Sequence, residues 1–313
     1  MDLIRVVRGP RALPRWAIAT LVANIGIVVT GGLVRLTGSG LGCPTWPRCT
    51  DESFVAHPEL GVYGAIEFGN RLLTFVLILI AVLTFASAAL YRDPDRPSRD
   101  GRRRDLFWLT GGLALGIPAQ GVVGGITVLT DLNPYLVAVH LLLSMVLVSL
   151  AVWLIRLTQH LASRPVPPAQ GALAWATLGL LWVVVVLGTV VTGSGPHAGD
   201  ADVPRNGLDP VLLTSLHAAA VLAAVVGTLT CVVWLRSRAA LLLLAVQGFQ
   251  AAVGIAQYKL GLPIGLVVLH LLGAALTIAA GTNLMLSVRA RRPVPDIAAE
   301  NQVPGRDRAS LRG

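Results

Sequence analysis

Long apolar runs, broken at near-regular intervals by arginine-rich or glycine- and proline-containing stretches, organise this chain. Eight runs are long enough to cross about 30 Å of hydrocarbon as helices. They cover approximately residues 16–36, 65–91, 106–129, 135–155, 172–192, 210–235, 239–258 and 263–288. A chain in lipid must satisfy its own backbone groups, and the weak alternation of barrel strands is absent, so every run is read as α-helix. The expected fold is an all-α integral membrane protein with eight transmembrane helices. Glycine and proline within the spans agree with this, because small residues let membrane helices approach closely.

The polar positions inside these runs recur. Shifting the chain by 130 positions lays Gln120, Gly124 and His140 on Gln250, Gly254 and His270 without a gap. At a shift of 155, T-G-S-G at Thr37 to Gly40 falls on T-G-S-G at Thr192 to Gly195, the difference reflecting unequal loops. The chain therefore reads as two parallel four-helix repeats, residues 1–164 and 165–292, joined by a basic, proline-containing connection. Residues 293–313 are polar and read as a disordered tail.

Composition supports the membrane class, with 54% apolar and 13% charged residues. The charge sets an orientation. Twenty of the 25 lysines and arginines precede the first span, occupy the second, fourth and sixth connections, or follow the last span. Both termini are accordingly expected in the cytoplasm. The net charge of +9 is thus a topology signal and does not imply nucleic acid as a partner; membrane lipid is the surrounding solvent. The charged start leads straight into a full-length span, so no cleavable signal is expected.

With that orientation, Asn70, His140, His217 and His270 each lie about five to seven residues into an inward-running span, roughly 8–11 Å below its outer end at 1.5 Å per residue. An ionisable group in a span is a candidate functional residue. His217 and His270, on different helices of the second half, suit the axial positions of a haem iron. A lone membrane histidine is as often only hydrogen-bonded between helices, and the duplication is what favours ligation. His57, His160 and His197 sit in loops or at a span end and read as solvated. Gln120 and Gln250 read as interhelical hydrogen-bond partners, and the T-G-S-G segments either as helix ends or as close-approach points for a flat macrocycle.

Glu67 shares a helix face with Asn70 and Arg71. It is either an acid/base group tuned by low dielectric and Arg71, or half of a snorkelling ion pair. Cys43 and Cys49 flank P-T-W-P-R in the first outer loop, where a disulfide is the natural reading; exposed short-loop bonds are also readily reduced, so redox activity stays open. Cys231 reads as a small apolar packing residue.

Gly31 to Leu41 (G-G-L-V-R-L-T-G-S-G-L), Ile66 to Arg71 (I-E-F-G-N-R), Gln120 to Pro134 (Q-G-V-V-G-G-I-T-V-L-T-D-L-N-P) and the histidines of spans four, six and eight together resemble the haem A synthase, or COX15/CtaA, family. The resemblance covers nearly all of the membrane region. It implies an oxidoreductase of a bacterial cell membrane that converts a ring methyl of haem O to the formyl group of haem A during terminal oxidase assembly. It further implies a haem b held by His217 and His270, and a substrate haem in the first half at His140, Asn70 and Arg71. Glu67 would be catalytic and Cys43–Cys49 the first-loop cysteine pair. Haem O synthase as a partner, and self-association, are compatible with it. Two positions depart from the family pattern: Asn70 stands where E-x-x-H-R has histidine, and the loop from Gly193 to Asp209 has no cysteine pair. A dihaem electron-transfer protein and, with less support, a multi-span transporter are the alternative readings.

Overall fold

The computed structural model describes residue 7 and residues 11–92, 103–196 and 202–290. His197 and the tail beyond residue 293 lie outside the described residues. Among them are eight helices long and apolar enough to cross a membrane. These are α1 (Ala12–Leu36), α2 (Gly61–Leu90), α3 (Arg104–Leu129), α4 (Pro134–Thr158), α5 (Pro168–Ser194), α6 (Pro210–Leu235), α7 (Arg238–Lys259) and α8 (Ile264–Leu286). Several begin a turn earlier than hydropathy suggests, at Ala12 against 16, Gly61 against 65 and Pro168 against 172. First turns can be polar or proline-bearing, since their N–H groups have no partner in the helix.

Local chemistry sets the ends. Proline opens α4 and α6, and the preceding side chain caps each: Asn133 Oδ1 accepts from the Tyr135 N–H at 3.0 Å, and Asp209 Oδ1 from the Val211 N–H at 2.8 Å. Along the spans, threonine hydroxyls donate back to the carbonyl four residues earlier, as at Thr110 to Leu106 (2.7 Å) and Thr277 to Gly273 (2.7 Å). No hydroxyl at these positions is left bare in the interior.

The helices close into two rings. In the first, α1 packs on α2, α2 on α3, α3 on α4 and α4 on α1; in the second, α5, α6, α7 and α8 follow the same order. Within each ring the second and fourth helices stand diagonally, with no more than marginal contact. The rings meet through α4 on α8, α1 on α8 and α4 on α5. Outward-facing side chains are large and apolar, with Leu115 74%, Phe75 68% and Leu222 66% exposed, as lipid-facing surfaces require.

One short two-stranded sheet accompanies the helices. Arg164–Val166, in the connection between the halves, forms a strand, β1, that pairs in parallel with β2 (Val288–Ala290) after α8. The Arg164 N–H donates to the Ser287 carbonyl at 2.8 Å. Proline leaves β1 unable to continue a helix, and both segments leave the bundle at the same end with backbone groups unpaired. Arg156 adds to this junction by donating to Asn283 Oδ1 at 2.9 Å. At the opposite end, Arg35 Nη2 donates to the Thr192 carbonyl at 3.2 Å, and Val203 packs with Leu132, Leu41 and Val137.

Candidate functional site

His217 on α6 and His270 on α8 come from diagonal helices of the second ring. Each ring is seated on a glycine of the neighbouring helix. A β-carbon at Gly188 on α5 would stand 3.2 Å from Cε1 of His217, and one at Gly254 on α7 3.2 Å from Cε1 of His270. Each Nδ1 is buried without a hydrogen-bond partner. The Val184 carbonyl lies near the His217 ring but lacks the geometry of a bond at Nδ1. One turn below, the Gln250 amide donates to the His270 carbonyl at 2.8 Å, fixing α7 against α8.

The first ring repeats the arrangement once. His140 on α4 packs on Gly124 of α3, where a β-carbon would stand 3.3 Å from Cε1, and its Nδ1 is again buried and unpartnered. Gln120 Nε2 donates to the His140 carbonyl at 3.0 Å and also to the Ser144 hydroxyl. The expectation that Gln120 and Gln250 bridge helices thus describes both. The diagonal position on α2 differs: Asn70 accepts at Oδ1 from the Thr30 hydroxyl of α1 at 2.8 Å. This turns the carboxamide toward α1, whereas Glu67 and Arg71 face the first loop, so the three side chains do not converge on one point.

Glu67 is buried, at 5% exposure. Its Oε2 accepts from the Cys43 backbone N–H at 2.6 Å, and Oε1 accepts from Arg71 Nε at 3.1 Å and Nη2 at 2.6 Å. Arg71 also donates to the carbonyls of Cys43 (3.0 Å) and Arg48 (3.1 Å). The pair does not snorkel away from the protein. It is stitched to the underside of the loop, because a carboxylate removed from water needs donors on both oxygens.

Cys43 and Cys49 form a disulfide, and neither is accessible. The disulfide expected of this loop is present, and the loop turns its sulfurs inward and leaves Pro44, Pro47 and Arg48 outside. His57 and His160 are exposed, and Cys231 is buried beside the Thr177 hydroxyl at 3.5 Å. The T-G-S-G segments diverge. At the first, α1 has ended and Gly38 takes a positive φ of 68°; at the second, α5 continues to Ser194 and Gly195 is extended. Both serve as helix ends.

Sequence reasoning overlooked Gly188, Thr30 and Trp46. Only Gly188 had a signal available, a glycine one turn before the second T-G-S-G, but nothing in the chain announced which histidine it faced.

The three histidines fit a haem. These are glycine-packed imidazoles whose Nδ1 atoms are buried without a hydrogen-bond partner, and neutral imidazoles are suited to axial ligation; a buried bare nitrogen otherwise calls for an explanation. These features define a multi-pass helical membrane protein that presents interior histidines from alternate helices. The chain belongs to the COX15-CtaA family, cytochrome oxidase assembly proteins, whose model matches residues 14–204. It is similar to the Heme A synthase of Rhizorhabdus wittichii, at 27% identity over 87% of this chain and 92% of the relative. It also resembles the Heme A synthases of Lysinibacillus sphaericus (32% identity, 46% of this chain, 44% of the relative) and Sphingopyxis alaskensis (31%, 59% and 59%). In these last two the chain spans roughly half the relative's length.

Proposed function

We propose that this protein is a haem A synthase, an oxidoreductase that converts a ring methyl of haem O to the formyl group of haem A for terminal oxidases. The observation that carries the reading is the set of three glycine-seated histidines with buried, unpartnered Nδ1 atoms, His140, His217 and His270, in a chain of this family. In this reading His217 and His270 hold a haem b across the second ring, and the substrate haem sits in the first ring at His140, with Asn70 and Arg71 beside it. The matching packing order of the two rings, and the matching Gln120–His140 and Gln250–His270 bonds, support two parallel halves, residues 1–164 and 165–292.

A bound haem b would supply one-electron redox chemistry. The chain's own residues hold, shield and deprotonate. The glycine seats fix the imidazole planes, and the glutamine bonds fix the backbone behind them. Oxidising a methyl group releases protons, and Glu67 is the carboxylate placed to take one at Oε1 or Oε2, on exchanging its present donor. Arg71 holds that carboxylate in place. The protein lies in a bacterial cell membrane with both termini cytoplasmic, which puts the disulfide loop on the oxidising side. Haem O synthase as donor and self-association belong to the same proposal.

The test is to express the full chain with a source of haem O, extract the haems and identify them by mass. Haem A is expected. Recovery of haem b and unaltered haem O alone would refute the synthase reading and leave a dihaem electron carrier.

A further inference from the structure

Among the described residues, the first ring carries a cover with no counterpart in the second. Trp46, at the tip of the disulfide loop, lies in a notch on α3 at Gly125. The space where a β-carbon would stand is filled by indole atoms Cγ, Cδ2 and Cε2. Gly125 is buried, and it directly follows Gly124, the seat of His140. The position of Gly125 in the second half is Ile255, which is 59% exposed, and none of the described residues covers α7 there as Trp46 covers α3. The described part of the second loop instead returns to its own helix, Asn206 Nδ2 donating to the Val190 carbonyl of α5 at 2.9 Å.

The same loop is tied at its other side. Its start presses on the first turn of α2, where the Gly42 backbone meets Tyr63 and Gly64. The cystine closes it, and Glu67 and Arg71 hold Cys43 and Arg48. Trp46 is therefore the point at which a loop anchored on α2 reaches across to α3.

We infer that Trp46 is a positioning residue of the first-half haem site: seated on Gly125, it holds the Cys43–Cys49 loop down as the roof over His140 and keeps the Cys43 amide on Glu67. This rests on the reading that the first half receives a haem. The roof explains why the two halves differ. A resident cofactor needs permanent ligands, whereas a substrate needs an entrance that opens and closes, and a loop bolted by one aromatic ring can do so by local opening.

The test uses the full chain in detergent or nanodiscs. Reduction of the Cys43–Cys49 bond by a water-soluble phosphine, read by thiol alkylation and mass, reports opening of the loop independently of haem. Trp46→Ala and Gly125→Ala are each expected to speed reduction by about tenfold, as loss of a local protecting contact would. The double variant should be no faster than Trp46→Ala alone, because the added methyl then meets no indole. Trp46→Phe should restore most of the protection. In the same preparations, haem should leave the first half faster in Trp46→Ala, while the spectrum of the haem held by His217 and His270 stays unchanged and certifies the fold.

Additive effects of the two substitutions, or no acceleration in either, would overturn the bolt. Faster reduction with unaltered haem loss from the first half would overturn the roof. A wild-type protein that takes up haem only in the second half would overturn the first-half assignment itself, a failure told apart by the reduction kinetics, which do not depend on haem.

Discussion

His270 lies with its Cε1 edge against Gly254, so close that a β-carbon on the glycine would stand 3.2 Å away. The contact joins α7 to α8 at the level of the imidazole, and the same pairing holds His217 to Gly188 and His140 to Gly124. A methyl group there must push the ring or the helix. Gly254→Ala is therefore expected to weaken haem binding in the second half by the 1–3 kcal/mol order typical of overpacking. Haem retention on dilution, compared with wild type, measures it; unchanged retention would show that the ring does not depend on its seat.

Replacing His217 or His270 with Ala should abolish the low-spin haem b spectrum while the protein still inserts. In the proposed site each would supply one of the two ligands to the iron, and the diagonal helices offer no other imidazole at that level. Spectra unchanged in both variants would end the assignment of these residues as ligands.

Glu67→Gln preserves shape and removes the charge; its single amide oxygen can still accept from Arg71 or from the Cys43 N–H, where the carboxylate serves both. Haem binding is expected to survive, and haem A formation to fall about 100-fold or more, the scale of losing an acid/base group. Conversion near the wild-type rate would reduce Glu67 to an anchor for the loop.

Asn70 accepts from Thr30 at 2.8 Å, an arrangement that directs it to α1. Asn70→His gives the first ring the diagonal pair that the second ring has in His217 and His270. The first-half haem should then shift toward a six-coordinate, low-spin spectrum without change in the other haem. A protein shown to contain both haems, with no such shift, would mean that residue 70 does not face the iron.

Both sulfurs of Cys43–Cys49 are inaccessible. In membranes isolated without reductant, neither cysteine should take up an alkylating agent until reductant is added. Immediate labelling of both would contradict a resting disulfide.

Much of this architecture was legible in the chain. Helix number and approximate ends follow from hydropathy, because a span must be apolar over a length set by the bilayer and must satisfy its own hydrogen bonds. The Gln–Gly–His spacing could be read because polar residues repeated at one offset in an apolar background are not placed there by composition. Its meaning as a hydrogen bond from Gln250 to the His270 carbonyl, and as a ring on Gly254, required two helices side by side.

Tertiary structure alone decided the rest. Periodicity places Glu67, Asn70 and Arg71 on a common helix face, yet a face is broad enough for Asn70 to meet α1 while Glu67 and Arg71 meet the loop. No pattern within P-T-W-P-R says that its indole belongs in a notch at Gly125, some eighty positions away. Nor does one say that Arg164–Val166 would find a partner in Val288–Ala290. Hydropathy is a property of each residue with respect to its solvent, and one dimension suffices to read it. Which surfaces meet depends on shape complementarity between segments distant in sequence, and that exists only once the helices are packed.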